Sequence, residues 1–242
     1  MKKILIGITI GGVLCLLFVI ILSSSFTEPK QMNFESISET HGINLLSNED
    51  RKIYSVGIST GGSAEIKMAL ADRQRQIIST TIDPVGAEFA EKCIQASKLS
   101  HQIAVKIEDV SSPLPYPDES FDYIYARLVL HYLSKDKLTS ALAELYRVLR
   151  KGGKIFVVVR SIDCLEAKVG KFDPLTHFTT YTSGSNSYSR YFHSQESISH
   201  DISQAGFTVS HIDAYQEQLC VDFQRTKLSD QIDSLIEVLG VK

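Results

Sequence analysis

From Ile53 onward, short apolar runs alternate with stretches of helical periodicity, and that alternation leaves few folds open to the chain. Strands are expected at Ile53–Val56, Ile77–Ile82, Ile103–Ile107, Phe121–Ala126 and Ile155–Val159. Between them lie a helical stretch at Ala64–Asp72, a helix after Pro84 with Phe89, Cys93 and Ala96 on one face, and a helix carrying Leu138, Leu142, Leu145 and Leu149. The Gly152–Gly153 pair is expected to end that last helix. Ile155–Val159 is continuously apolar, which suits a strand buried on both faces. Strand and helix in repetition imply an α/β fold, a doubly wound, mainly parallel sheet with right-handed crossovers and helices on both faces. Pro113, Pro115 and Pro117 forbid regular structure before the fourth strand. After Arg160 the pattern fades into the Ser/Thr/Tyr-rich run TTYTSGSNSYSRYF. A helix at Glu196–Ala205, a strand at Phe207–Ile212 and another near Leu219–Phe223 complete the expected domain.

Ahead of this domain, Ile4–Leu22 is a run of 19 residues in which Thr9 is the one polar side chain. As a helix it would span the hydrocarbon thickness of a bilayer, and Lys2 and Lys3 precede it directly. Residues 1–25 therefore read as one N-terminal transmembrane anchor, with a cleaved signal peptide as the alternative, since Ser23 and Ser25 offer small residues before a cut. Residues 26–33 read as a polar linker and 34–242 as the folded domain, with a core at 53–160 and a C-terminal part at 161–242.

The formal net charge is -3, and -5 for residues 31–242 once the +2 of the first 30 is set aside. A nucleic-acid binder needs a surplus of Lys and Arg to displace counterions, so no nucleic-acid partner is expected. Cys15, Cys93, Cys164 and Cys220 form no close pair of the kind zinc or a dithiol motif requires, and no metal site is expected.

In an open parallel sheet, ligands bind at the carboxyl ends of the strands, beside the point where strand order reverses. Three strand ends carry suggestive residues. The first is followed by Gly57-Ile58-Ser59-Thr60-Gly61-Gly62, a turn of small residues that lets backbone approach a ligand and aims helix N–H groups at an anion. Asp83 follows the second strand, where before Pro84 it would also cap a helix, and Asp109 follows the third. A phosphate loop of the NTPase kind would need Lys after Gly62, where Ser63 stands. A dinucleotide site would want G-x-G-x-x-G; the chain offers Gly57-x-Ser59-x-x-Gly62.

The segments LPYPDESFDYIYARLVLHYL (Leu114–Leu133) and LAELYRVLRKGGKIFVVV (Leu142–Val159) resemble, almost residue for residue, the fourth- and fifth-strand motifs of the class I S-adenosylmethionine-dependent methyltransferases, especially the type 11 small-molecule group. The resemblance covers roughly Ile53 to Arg160. It implies S-adenosylmethionine as cofactor, with Gly57, Ser59 and Gly61 under its methionine portion. It also implies that Asp83 accepts from both ribose hydroxyls and that Asp109 holds the adenine amine. The N–H of Val110 would face the ring, and Arg127 would border the donor and acceptor pockets. The chemistry agrees, because a ribose diol offers two donors to one carboxylate and an adenine amine needs an acceptor. The first motif departs from the family pattern: an acid is preferred where Ser55 stands, and a glycine where Ser59 stands.

Methyl transfer is an in-line displacement that positioning alone can accelerate. Where the acceptor needs a base, His131 is the nearest candidate and His193 a second, and Phe178–Phe192 could form a lid. The expected function is methyl transfer to a small-molecule or lipid-like acceptor by a membrane-tethered enzyme. The alternative is a methyltransferase-like binding module without catalysis, suggested by Ser55 and Ser59. The flanking lysines favour an exported domain, whereas the cytosolic origin of the cofactor favours the opposite side.

Overall fold

A computed structural model describes residues 34–58, 61–183, 186–220 and 227–242. The first strand is β1 (Lys52–Val56), followed by β2 (Gln76–Thr81), β3 (Ile103–Ile107), β4 (Phe121–Arg127) and β5 (Leu149–Arg160). Three short strands, β6 (Lys171–Phe172), β7 (Thr179–Ser183) and β8 (Asn186–Arg190), form a separate antiparallel sheet. Two long strands, β9 (Thr208–Cys220) and β10 (Leu228–Val241), close the chain. The main sheet runs β3-β2-β1-β4-β5-β10-β9; its first five strands are parallel and β10 is antiparallel to both neighbours. Strand order reverses between β1 and β4, which places a ligand crevice there.

Among the described residues six α-helices accompany the sheets: α1 (Ile37–Asn44), α2 (Ser63–Ala71), α3 (Pro84–Ala96), α4 (Lys135–Val148), α5 (Leu165–Val169) and α6 (Gln195–Gln204). Along β5 the side chains sort by parity. Ile155, Val157 and Val159 join Leu138, Leu142 and Leu145 of α4 and Ile198 and Ile202 of α6 in one core. Phe156 and Val158 join Met68 of α2 and Ala90 and Ile94 of α3 in the other. Both faces of the strand are covered, which accounts for its unbroken apolar run. Asp83 caps α3, its Oδ1 accepting from the Val85 N–H at 3.0 Å ahead of Pro84 in the first turn.

Four features differ from the expectation. Helix α4 stops at Val148, before the Gly152–Gly153 pair, because Leu149 is already extended and pairs with Phe121. Leu149 fits the helical repeat, but the sheet takes it; the glycines lie within β5, Gly152 at φ 71°. The strand expected near Leu219–Phe223 is corrected: Leu219 and Cys220 end the continuous β9, and residues 221–226 lie outside the described residues. Strand β10 was not foreseen, and it separates β5 from β9. Helix α1 was also not foreseen, because the residues it buries are Ser38, Glu39 and Gly42, which leave no apolar period. No described helix is long and apolar enough to cross a membrane; Ile4–Leu22 lies outside the described residues.

Candidate functional site

A cavity of about 810 Å³ opens at the carboxyl ends of β1 to β4, under the β6-β7-β8 insert. Its inner half is made by turns. Gly57 at φ 78° begins the turn after β1, and a Cβ there would lie 2.7 Å from the Val129 side chain. That position admits only glycine, on both conformation and space. Gly61 and Gly62 also have positive φ, at 98° and 61°. Ser59 lies outside the described residues, and Gly57 and Ile58 represent the turn on the cavity wall.

Asp83 lines the cavity with Oδ1 engaged by the helix cap. A Cβ on Gly86 would approach its Oδ2 to 2.8 Å, so the glycine keeps that oxygen clear. Asp109 accepts from the hydroxyl and the N–H of Ser111 through Oδ1, at 2.7 and 2.9 Å, and these bonds hold its carboxyl below the usual range. Beside it, Glu108 accepts from Tyr116 at 2.6 Å and Tyr54 at 3.0 Å. Burial and this carboxylate push both phenols well above their ordinary pKa. Val110, Val129 and the exposed Ile82 supply apolar wall between the acids. The inner half thus combines two carboxylates that keep one free oxygen each, an apolar surface and a glycine turn of close backbone approach. Those features fit a ribose, an adenine ring and a methionine chain.

The outer half is made by side chains from remote parts of the chain. Arg127, at the end of β4, donates to Ser38 Oγ at 2.6 Å and Ser36 Oγ at 2.8 Å, with Glu217 of β9 at 3.6 Å. Arg160 of β5 pairs with Asp233 of β10 and, at 3.3 Å, with Glu166 of α5. Arg190 of β8 pairs with the same Glu166, and its guanidinium lies 5.4 Å and 5.1 Å from the ring centres of Tyr132 and Tyr188. This network ties the insert to the main sheet. Tyr181 of β7 and Tyr188 and Arg190 of the antiparallel β8 line the cavity; residues 184 and 185 between these strands lie outside the described residues.

His131 lies in a short 3-10 turn, Leu130–Tyr132, on the cavity wall. It is 1% exposed, and neither ring nitrogen has a partner among the described residues. Burial, then the charges of Arg160 and Arg190, hold it well below the ordinary histidine pKa, so it is neutral. His193 is fully buried and forms no part of the cavity wall; burial lowers its pKa to about 3. Its candidacy as a base is thereby corrected: it packs on Tyr191, ring centres 4.4 Å apart.

A family model described as a methyltransferase domain matches residues 55–157. With the sheet order and cavity above, this segment is similar to the class I S-adenosylmethionine-dependent methyltransferases, and that likeness supports S-adenosylmethionine as the cofactor. An uncharacterised methyltransferase of Synechocystis sp. is 28% identical over 75 residues, 31% of this chain and 35% of that protein, so the match spans about a third of the relative's length. An S-adenosylmethionine-dependent methyltransferase from Methanosarcina mazei shares 17% identity at a TM-score of 0.62, covering 82% of this chain and 95% of that one. The [4+2]-cyclase SpnF shares 18% identity at a TM-score of 0.60, covering 84% and 78%. Both structural likenesses are likenesses of fold.

Proposed function

We propose that the chain methylates a small or lipid-like acceptor held in the outer half of the cavity, and that Ile4–Leu22 tethers it to a membrane. The observation that carries this reading is the continuity of one cavity from Asp83 and Asp109 to His131, Tyr188 and Arg190. When bound, S-adenosylmethionine would supply a methyl group on a sulfonium: the acceptor lone pair bonds to the methyl carbon in line, the S–C bond breaks with its electrons on sulfur to leave a neutral thioether, and the acceptor's proton goes to solvent. On this reading Asp83 fixes the ribose, Asp109 the adenine amine and the N–H of Val110 the ring. Gly57 and Gly61 would lie beneath the methionine part, as would Ser59, which is outside the described residues. Arg127 borders both halves, and the insert excludes water. An acceptor within about 3–3.5 Å of the methyl carbon needs little further help. His131 lines the outer half as a neutral imidazole whose basicity burial and the charges of Arg160 and Arg190 hold low, so the proposed transfer rests on positioning.

Two features support a membrane-borne acceptor. Phe34, the first described residue and the one that follows the expected linker in sequence, lines the cavity. Leu165 and Val169 of α5, Phe172 of β6 and Leu175 after it are exposed, at 47%, 60%, 56% and 91%. The test is to incubate the full-length protein with methyl-labelled cofactor and either a lipid extract or a soluble metabolite extract. Label in the lipid fraction supports the reading, and label in the soluble fraction moves the acceptor to solution. Cofactor binding without any S-adenosylhomocysteine favours the second reading, a binding module. The departures at Ser55 and Ser59 favour that one, and the fold by itself implies no methyl transfer.

A further inference from the structure

The first glycine motif lacks an acid at position 55, yet a carboxylate occupies the same place from another element. Ser55 is 1% exposed at the end of β1, and its hydroxyl donates to Glu65 Oε1 at 2.6 Å. Ser79 of β2 donates to the same oxygen at 3.1 Å. Glu65 sits in the first turn of α2, immediately after Gly61 and Gly62, and is 3% exposed. Its Oε2 would lie 3.8 Å from a Cβ on Gly62, and Glu65 stands behind Gly57 and Ile58 in sequence rather than on the cavity wall itself.

We propose that Glu65 supplies the negative charge that balances the α-ammonium of the bound cofactor, in place of the acid missing at residue 55. The inference rests on the cofactor and holds equally for an enzyme and for a binding module. Its basis is an imbalance: Glu65 is a buried carboxylate with hydroxyl donors and no ion-pair partner among the described residues. The charged neighbour it feels is another acid, Glu39 of α1, which itself pairs with Lys67 at 2.7 Å. An uncompensated buried carboxylate is costly, and burial here raises its pKa. A cation arriving at the turn removes that cost. The ammonium of the methionine portion is such a cation. The small hydroxyl of Ser55 leaves the room the longer Glu65 side chain fills, so the two positions exchange roles. Ser55→Asp alone would set one carboxylate against another.

The experiment is calorimetry of the full-length chain in detergent with S-adenosylhomocysteine, which carries the ammonium, and 5′-methylthioadenosine, which lacks the amino-acid arm. Glu65→Gln is expected to weaken the first ligand by about tenfold or more and the second by less than about twofold. Binding of S-adenosylhomocysteine by the wild type should release protons over the pH range in which Glu65 titrates, found by scanning pH in buffers of different ionisation enthalpy; Glu65→Gln should abolish this. Ser55→Asp alone should weaken binding, and the exchange Ser55→Asp with Glu65→Ser should restore affinity to within about threefold. Equal losses for both ligands, or an exchanged variant that folds without recovering affinity, overturn the proposal. If Glu65→Gln does not fold, the exchanged variant alone decides between the same two outcomes.

Discussion

The two halves of the cavity are built in opposite ways. The inner half uses turns that immediately follow β1, β2 and β3, so each functional group lies within a few residues of the strand that positions it. The outer half uses Arg127, Arg160, Glu166, Arg190 and Asp233, gathered from five elements and held by ion pairs. The first design is local and rigid, the second is a tertiary assembly. Recognition of a common cofactor needs only the former. Choice of acceptor is left to the part that can vary without disturbing the sheet.

The comparison breaks most visibly at Arg160, whose removal should damage the outer half and the fold together. Arg160 is 12% exposed and serves both Asp233 and Glu166, so Arg160→Met leaves the buried Asp233 without its cation while Glu166 keeps Arg190. A loss of about 3–5 kcal/mol in unfolding free energy is expected, measured by urea titration. A loss below about 1 kcal/mol would mean that the network is dispensable.

Asp83→Ala should do the reverse, sparing the fold while weakening S-adenosylmethionine by about 1.5–3 kcal/mol, roughly ten- to more than a hundredfold. Its one bond to the protein is a helix cap on an exposed turn, so stability should fall by only about 1 kcal/mol. Asp109→Ala should act the same way to a smaller degree, because Lys137 and a Ser111 turn surround it. Unchanged calorimetric affinity in both variants would remove the carboxylates from the site.

His193 sharpens the contrast through pH. Its folded pKa of about 3 lies below the unfolded value, so the unfolded chain binds the extra proton as pH falls through about 6.5. Stability contributed by the neutral ring is complete above that pH and is lost progressively towards pH 3. Between pH 7 and pH 5 the loss from this residue should be about 2 kcal/mol, and His193→Leu should flatten the dependence by that amount. A parallel pH curve in the variant would show that the ring reaches water.

The same contrast explains what was legible in the sequence. The parallel strands, the glycine turn, Asp83 and Asp109 were readable because strand periodicity and turn chemistry act over a few residues. Strand β10 was not, since Leu228–Asp233 alternates poorly and its pairing with β5 lies some 80 residues away, Leu235 opposite Arg160. Glu65 escaped notice for the same reason: its partners are Ser55 and Ser79, on two different strands. A buried Glu in an otherwise apolar helix face, ten residues after a missing acid, was the available signal.

The smallest effect concerns the exposed surface of the insert. Leu175 is 91% exposed, so Leu175→Trp should change stability by no more than about 0.5 kcal/mol. The chain contains no other tryptophan, which makes the new side chain a private reporter. If the insert faces the bilayer that delivers the acceptor, its emission in proteoliposomes should shift to the blue and be quenched by brominated lipid tails. Leu70→Trp, 66% exposed on α2, serves as the control and should remain unquenched. Quenching at neither position, in protein that floats with the vesicles, would leave the tether standing and turn the cavity towards water. Protein that does not float would remove the tether itself, and the acceptor would then have to reach Tyr188 and Arg190 from solution.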